Sequence, residues 1–162
     1  MSVTSIDLPS ARRQRKGVET HKEPDKMRRR VLVADDSSDG RRMISGILGC
    51  LGLEVAVAEN GRVACDAALS AWRRGEPFDL ILMDLQMPVI DGYEATALLR
   101  ASGYAGRVVA LTSDCAFLGT HEKCLKAGCD GYATKPITFE MLDGVVRRYL
   151  PQPRQALRKV SA

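Results

Sequence analysis

Five polar residues in this 162-residue chain each follow a short apolar run. They are Asp35, Asp36, Asp84, Thr112 and Lys135. Carboxylates a few ångströms apart repel strongly in a partly buried site, so three of them together call for a cation. Mg2+ with several retained waters suits such oxygen ligands. A lysine charge and a threonine hydroxyl beside a metal-bound carboxylate are suited to attack on, and retention of, a phosphoryl group. The nucleophile that this pattern predicts is Asp84.

The apolar runs have the length of strands and recur at near-constant intervals. They begin at residues 31, 55, 80, 108 and, more weakly, 131, so successive starts lie 24, 25, 28 and 23 residues apart. Each interval has room for one strand and one helix. The segments between them show helical spacing, with one stripe formed by Met43, Ile44, Ile47, Leu48 and Leu51 and a second that ends at Trp72. We expect the methionines and Trp72 to pack in or near the core.

Strands that alternate with helices in this way predict a parallel sheet with helices on both faces and right-handed crossovers. The predicted fold is α/β, a flavodoxin-like (βα)5 doubly wound five-stranded sheet in the order 2-1-3-4-5. In that order, the ends of strands one and three are neighbours, and ligands bind beyond the carboxyl ends of the strands. Left-handed glycines are expected between helix and strand at Gly52, Gly75, Gly106 and Gly128.

Charge is distributed unevenly along the chain. Residues 1–30 carry nine basic and four acidic residues, and residues 151–162 carry three basic residues, which leaves 12 basic and 16 acidic residues in 31–150. The composition predicts a disordered basic tail over 1–29, a folded domain over 30–150 and a basic C-terminal tail over 151–162. The basic tail over 1–29 contains no aromatic residue for stacking on bases, which disfavours a nucleic-acid role.

Several classes of protein are excluded by simpler features of the chain. No apolar run approaches the roughly 20 residues that span a bilayer, and no apolar segment follows the N-terminal arginines. We therefore expect a cytoplasmic protein without a membrane segment. None of the five cysteines forms a CxxC pair, so neither a zinc site nor a disulfide framework is predicted, and we expect most of them to be small core residues in a reducing compartment.

The sequence around these polar residues resembles that of the receiver domains of two-component response regulators. The resemblance rests on Asp35-Asp36, on the segment 82–92 (LMDLQMPVIDG), on 110–112 (ALT) and on 132–136 (YATKP). It covers residues 30–150 in the right order and spacing. The sequences of residues 91–96 and 135–137 are most similar to those of receivers of hybrid histidine kinases.

The resemblance implies a role for each site residue. Asp84 would be the phosphoacceptor, Asp36 a direct Mg2+ ligand, Asp35 a ligand through water, and the backbone carbonyl of Gln86 a third protein ligand. Lys135, ahead of a cis bond to Pro136, would pair with the phosphoryl group. Thr112 would move to hydrogen-bond that group, and Tyr132 would be the aromatic switch residue.

The predicted function is a phosphorylation-dependent signalling switch or relay. A histidine kinase or histidine phosphotransfer protein would supply the phosphoryl group, and an unidentified downstream protein would read the changed surface of the fourth helix, fifth strand and fifth helix. The domain would promote its own phosphorylation and dephosphorylation without acting on a separate substrate. Only a dozen residues follow Leu150, so we expect no DNA-binding output domain.

Three alternatives predict different sequence features. A binding module that works without phosphorylation would lack Asp84, Lys135 or the acidic pair, and all are present. An aspartyl-phosphate phosphatase would need a second aspartate two residues after the nucleophile, where this chain has Gln86. A phosphotransfer histidine at His21 or His121 is disfavoured, because His121 is followed by Glu122 and Lys123 on an expected solvent-facing helix.

Overall fold

The computed structural model describes residues 28–113 and 119–150. The predicted tails lie outside the described residues, apart from Arg28 and Arg29. Five strands alternate with five helices in chain order: β1 (Arg30–Ala34), α1 (Ser38–Cys50), β2 (Glu54–Ala58), α2 (Gly61–Arg73), β3 (Leu80–Asp84), α3 (Gly92–Ala101), β4 (Arg107–Thr112), α4 (Thr120–Ala127), β5 (Gly131–Thr134) and α5 (Phe139–Tyr149). In these two ranges, no helix has the length and apolar character needed to cross a membrane.

The strands form one parallel sheet in the order β2-β1-β3-β4-β5, which confirms the predicted topology. Its register aligns the strand ends. Ala34 of β1 pairs with Met83 of β3, so the residues that follow them leave the sheet at one edge. Thr112 pairs with Thr134 at the same edge, which places the start of the next segment beside β4.

The alternation of side chains along the strands divides the core into two layers. Leu32 and Ala34 of β1 pack with residues of α2, α3 and α4 on one face of the sheet. Val31 and Val33 pack with residues of α1 and α5 on the other face. Every residue of the central strand β3 is buried, because helices cover both of its faces. The polar residues that end or follow the strands therefore lie at the carboxyl edge of the sheet.

Four helices begin with a residue whose side chain caps the first turn. The caps are Ser37, Asn60, Asp91 and Thr138, each accepting a hydrogen bond from a backbone N–H three residues later. Such caps contribute typically about 1 kcal/mol each to helix stability. Helix α4 begins after Gly119, which has no side chain that could act as a cap. The start of α4 thus lacks the side-chain hydrogen bond that caps α3 and α5.

Two details differ from the sequence-based expectations. Gly52, Gly75 and Gly128 have positive φ as predicted, but Gly106 does not: the left-handed residue after α3 is Gly103, with φ 85°, because α3 ends at Ala101. The second difference concerns packing, since Met43 and Trp72 are exposed and do not lie in the core. Trp72 nevertheless keeps an edge-on contact with Tyr104, with ring centroids 6.3 Å apart.

Candidate functional site

Three carboxylates meet at the carboxyl ends of β1 and β3. Asp35 and Asp36 follow β1, Asp84 ends β3, and one oxygen of each lies within 4.8 Å of the others. Asp35 and Asp84 are only 1% and 4% exposed, whereas Asp36 is exposed to solvent. The sequence predicted this cluster, and the adjacency of β1 and β3 produces it.

Lys135 bridges the two buried carboxylates. Its Nζ lies 2.7 Å from Asp84 Oδ2 and 3.0 Å from Asp35 Oδ2. Desolvation lowers the pKa of the Lys135 ammonium, but the hydrogen bonds and charges of Asp84 and Asp35 together outweigh it, so the pKa is raised above 10.5. Lys135 is therefore charged at neutral pH and compensates the crowding of negative charge.

Backbone donors hold the other oxygen of each buried carboxylate. Asp84 Oδ1 accepts a hydrogen bond from the Gln86 N–H at 3.0 Å, and Asp35 Oδ1 accepts one from the Ser37 N–H at 2.8 Å. In each carboxylate, one oxygen thus accepts a hydrogen bond from Lys135 and the other accepts one from the backbone of the loop that follows. This arrangement fixes both groups before any ligand arrives.

The donor set fits a hard divalent cation. Ligand oxygens about 2.1 Å from a Mg2+ ion lie at most about 4.2 Å apart, so a cluster within 4.8 Å needs only a small adjustment or one bridging water. All three donors are carboxylate oxygens, and Asp36 is open to solvent, which gives the ion a route of entry. The residues present are therefore suited to Mg2+.

Thr112 lies at the same edge, on the far side of Asp84 from Asp35. It ends β4, is buried, and accepts a hydrogen bond at its carbonyl from the Lys135 N–H at 2.7 Å. A cavity of about 320 Å³ opens beside it, between the loop after β3 and the first turn of α4; its lining includes Gln86, Tyr93, Thr112, Thr120 and Lys123. The cavity therefore adjoins the buried side of Thr112.

Tyr132 does not join this cluster. It lies on β5, is 47% exposed, and contacts His121 of α4 with ring centroids 5.4 Å apart and ring planes at 57°. His121 is exposed, as the sequence predicted, but its contact with Tyr132 was not anticipated. The structure therefore separates Tyr132 from the carboxylates and places it on the outer surface between α4 and β5.

Two further residues shape the site and were not singled out from the sequence. Arg41 donates from Nη1 to the carbonyl oxygens of Asp35 at 2.7 Å and Asp36 at 3.1 Å, which steadies the acidic loop. Gly92 packs so closely against the Asp84 carbonyl that a Cβ at this position would clash with it. The position of Arg41 in the first turn after the acidic pair was the available signal. The bond between Lys135 and Pro136 is cis, as the resemblance implied.

Comparison with curated proteins gives relatives of two kinds. Hybrid signal transduction histidine kinase I from Dictyostelium discoideum is 32% identical over 135 residues, covering 78% of this chain and 8% of that protein. Two-component response regulator ORR41 from Oryza sativa subsp. japonica is 35% identical over 122 residues, covering 74% of this chain and 93% of that protein. The chain thus spans at most 14% of the first histidine kinases that it matches.

Solved structures with the same fold include one receiver domain with a bound metal ion and one in complex with a partner protein. The receiver domain of a sensor histidine kinase from Pseudomonas aeruginosa PAO1, with a magnesium ion coordinated in its active-site cleft, is 31% identical, with a TM-score of 0.66 over 77% of this chain and 99% of that one. The receiver domain of Ssk1 from Saccharomyces cerevisiae, crystallised with the histidine phosphotransfer protein Ypd1, is 26% identical, with a TM-score of 0.65 over 75% of this chain and 88% of that one.

The family assignment rests on the extent of the match and on the residues within it. The family model described as the response regulator receiver domain matches residues 31–147. This range contains all five strands, except the first residue of β1, and every site residue described above. With the acidic cluster, Lys135 and Thr112 all at one edge of the sheet, the chain belongs to the response regulator receiver domain family.

Proposed function

We propose that this chain is a phosphorylation-dependent switch or relay in which Asp84 accepts a phosphoryl group in the presence of Mg2+. The active part is residues 30–150, flanked by two basic tails, and it acts in the cytoplasm. The observation that carries the proposal is the contact of Lys135 with both Asp84 and Asp35 at the ends of three strands. Because the Lys135 ammonium already contacts the Asp84 carboxylate, it is placed to form an ion pair with a phosphoryl group attached to that carboxylate.

Asp84 is the nucleophile in this proposal. One carboxylate oxygen attacks the phosphorus of a phosphohistidine, the new bond is a P–O bond, and the P–N bond breaks with its electron pair returning to the imidazole nitrogen, which takes a proton. Asp84 Oδ1 stays oriented by the Gln86 N–H, while Oδ2 faces Lys135. Burial of Asp84 limits the water available to compete as a nucleophile.

Four groups would hold Mg2+: the carboxylates of Asp36 and Asp84, the backbone carbonyl of Gln86, and Asp35 through water. The ion, when bound, neutralises charge on the phosphoryl oxygens during transfer. The spacing of the three carboxylates and the exposure of Asp36 support this assignment, as does the magnesium ion in the similar Pseudomonas aeruginosa receiver.

Readout would begin at Lys135 and Thr112. Lys135 directly follows β5, and its backbone N–H donates a hydrogen bond to the Thr112 carbonyl. A displacement of either residue would therefore displace the other. Thr112 would move to hydrogen-bond the phosphoryl group, and Tyr132 would turn as the start of α4 adjusts. The cavity of about 320 Å³ beside Thr112 supports such a movement, because it leaves space on the α4 side.

The phosphoryl donor would be a histidine kinase or a histidine phosphotransfer protein. The relatives support the first class and the Ypd1–Ssk1 receiver complex supports the second. Self-catalysed phosphorylation from a small acyl phosphate, and later hydrolysis, are part of the proposal. A binding module that works without phosphorylation is not favoured, because Asp84, Lys135 and the acidic pair are all present and in contact range.

The test is incubation of the protein with acetyl phosphate, with and without MgCl2, followed by intact mass measurement. We expect a gain of one phosphoryl mass that requires Mg2+ and is lost in Asp84→Asn, since an amide is not a nucleophile. Asp91→Asn is the matched control. It makes the same chemical change in the same loop, and asparagine caps α3 as well as aspartate does. Full labelling of Asp84→Asn, or equal loss in Asp91→Asn, would contradict the assignment.

A further inference from the structure

Two cysteines occupy the two ends of the turn that closes α4. The helix ends at Ala127, Gly128 follows with φ 96°, the Cys129 N–H donates to the Cys124 carbonyl, and the Gly128 N–H donates to the Leu125 carbonyl, both at 3.0 Å. This pair of hydrogen bonds defines a Schellman motif, in which the side chains of the first and last residues usually make an apolar contact. Here both of those side chains carry thiols.

The side chains of both cysteines lie inside the protein, at the same turn. Cys124 is 1% and Cys129 6% exposed, and each thiol influences the pKa of the other, as close neighbours do. Cys129 Sγ also lies 3.8 Å from the Thr96 hydroxyl. A disulfide requires side chains that converge and backbones that approach closely. The backbone hydrogen bond from Cys129 to Cys124 brings the two backbones close, and the Schellman motif directs the two side chains toward each other.

We propose that Cys124 and Cys129 form a reversible disulfide, with a small hydroperoxide as the oxidant and a thiol as the reductant. One thiolate attacks a peroxide oxygen, the O–O bond breaks, and the released hydroxide takes a proton, which leaves a sulfenic acid. The second thiol attacks the sulfenic sulfur, the S–S bond forms, and water departs. Two electrons pass from the sulfurs to the peroxide, and two waters are produced when the peroxide is hydrogen peroxide.

The environment of the pair makes this oxidation slow and controllable. Burial raises the pKa of both thiols, to about 11 for Cys129, so little thiolate forms in the closed turn. The turn is clasped by Arg100, whose Nε donates to the Gly128 carbonyl at 2.9 Å. We therefore expect the disulfide to form when the end of α4 opens locally, at a rate that rises with pH.

Disulfide formation would act on α4 without using Asp84. It changes the Cys124 sulfur, whose neighbour Tyr93 lines the cavity beside Thr112, from a thiol to a disulfide. The two cysteines would also be drawn together, which tightens the last turn of α4. The structure thus assigns to the α3–α4 contact a redox input separate from the phosphorylation site.

The test treats the reduced full-length chain with hydrogen peroxide, quenches with an alkylating agent under denaturing conditions, and maps the peptides by mass. We expect a product two hydrogens lighter, with a 124–129 cross-link that dithiothreitol reverses. Cys124→Ala and Cys129→Ala should each abolish it. Cys65→Ala is the matched control, because Cys65 is equally buried with a pKa of about 11 but donates to the Ala95 carbonyl.

Three results would overturn the proposal, and the wild-type peptide map decides the first two even if a variant folds poorly. In one, both thiols stay fully alkylatable while exposed Cys50 is oxidised. In another, the cross-link joins Cys50, Cys65 or Cys115. In the third, the 124–129 cross-link forms only at the rate of global unfolding, measured by hydrogen exchange of β3 amides, because the pair would then be ordinary core.

Discussion

The carboxylate cluster and the α4–β5 surface are built with opposite degrees of constraint. Asp35 and Asp84 are buried, and both oxygens of each accept a hydrogen bond. On the α4–β5 surface, Tyr132 and His121 are exposed and contact each other, and α4 starts at a glycine that cannot cap it. Chemistry requires groups held in place, whereas readout requires two arrangements of similar free energy. Under the proposed function, we therefore expect the α4–β5 surface to be the part that moves.

Lys135 belongs to both regions. Its side chain lies between two carboxylates, while its backbone continues β5, the strand that carries Tyr132. A pull on the ammonium therefore acts on the strand that borders α4. The predictions below test how strongly the two regions differ and whether Lys135 connects them.

Removal of the Lys135 charge should give the largest change in stability. In Lys135→Ala, two buried carboxylates remain beside each other without a counter-charge, and we expect the free energy of unfolding to fall by about 2–3 kcal/mol without Mg2+. Addition of Mg2+ should recover part of the loss. The measurement is urea unfolding with and without MgCl2.

A matched control removes a cation from an exposed pair. Arg147 bonds to Asp143 at 2.8 Å on the surface of α5, and Arg147→Ala should cost less than about 1 kcal/mol with no response to Mg2+. Equal losses in the two variants would show that the cluster is no more constrained than the surface.

The contribution of Lys135 should depend on pH only in the alkaline range. Its folded-state pKa is raised above 10.5, so its stabilising effect is fully present below that pH and is lost as the pH rises through the folded pKa. We expect the difference in unfolding free energy between wild type and Lys135→Ala to be constant from about pH 7 to 9 and to shrink above about pH 10.5. A difference that already shrinks between about pH 7 and 9 would refute this link.

Relief of backbone strain near the acceptor should give an intermediate effect of opposite sign. Val89, in the loop after β3, has φ 74° and is 74% exposed. A β-branched residue in this conformation costs roughly 1–2 kcal/mol, whereas asparagine tolerates it. We expect Val89→Asn to raise the free energy of unfolding by about 1 kcal/mol, measured by urea titration.

Val57→Asn provides the control for that change. Val57 is also exposed but lies in β2 with ordinary strand geometry, so asparagine there should be neutral or destabilising. Equal stabilisation by both substitutions would mean that Val89 is not strained.

Loss of the ring contact on the α4–β5 surface should have the smallest effect on stability. We expect His121→Ala to change the free energy of unfolding by less than about 0.5 kcal/mol and to leave labelling of Asp84 by acetyl phosphate intact. The Tyr132 ring signals should nevertheless shift, both alone and with beryllium fluoride as a phosphoryl mimic, when followed by NMR. Glu122→Ala, on the same exposed turn, should leave these signals in place. Loss of Asp84 labelling in His121→Ala would contradict the separation of the two regions.

Local patterns were sufficient for the fold and for the residues at the strand ends. The spacing of apolar runs predicted five strands whose observed first residues differ from the predicted ones by at most one position, because buried parallel strands are continuous apolar segments. The cluster followed from topology, since parallel strands end at the same edge. Gly128 was likewise predictable, because a helix that ends in this way favours a left-handed residue.

Other features could not be read from local patterns. The exposure of Met43 and Trp72 depends on how each helix is rotated about its axis relative to the sheet. Where the apolar stripe of a helix is wider than the surface that packs on the sheet, some of its residues remain exposed to solvent. The left-handed turn falls at Gly103 and not at Gly106 because α3 ends at Ala101. The position of this helix end depends on the packing of the buried Tyr104 that follows it. Helix ends are generally uncertain by one or two residues for this reason.

The sequence by itself determined the order of elements, the edge at which Asp35, Asp84 and Lys135 emerge, and the chemistry that these residue types allow. Only the tertiary structure decided which atoms meet: Lys135 Nζ with carboxylates 51 and 100 residues earlier, His121 with Tyr132, and Cys129 Sγ with the Thr96 hydroxyl. The reason is physical. Periodicity sets the face on which a side chain lies, but contacts within about 3–5 Å depend on rotamers and helix positions that the packing of the whole core selects.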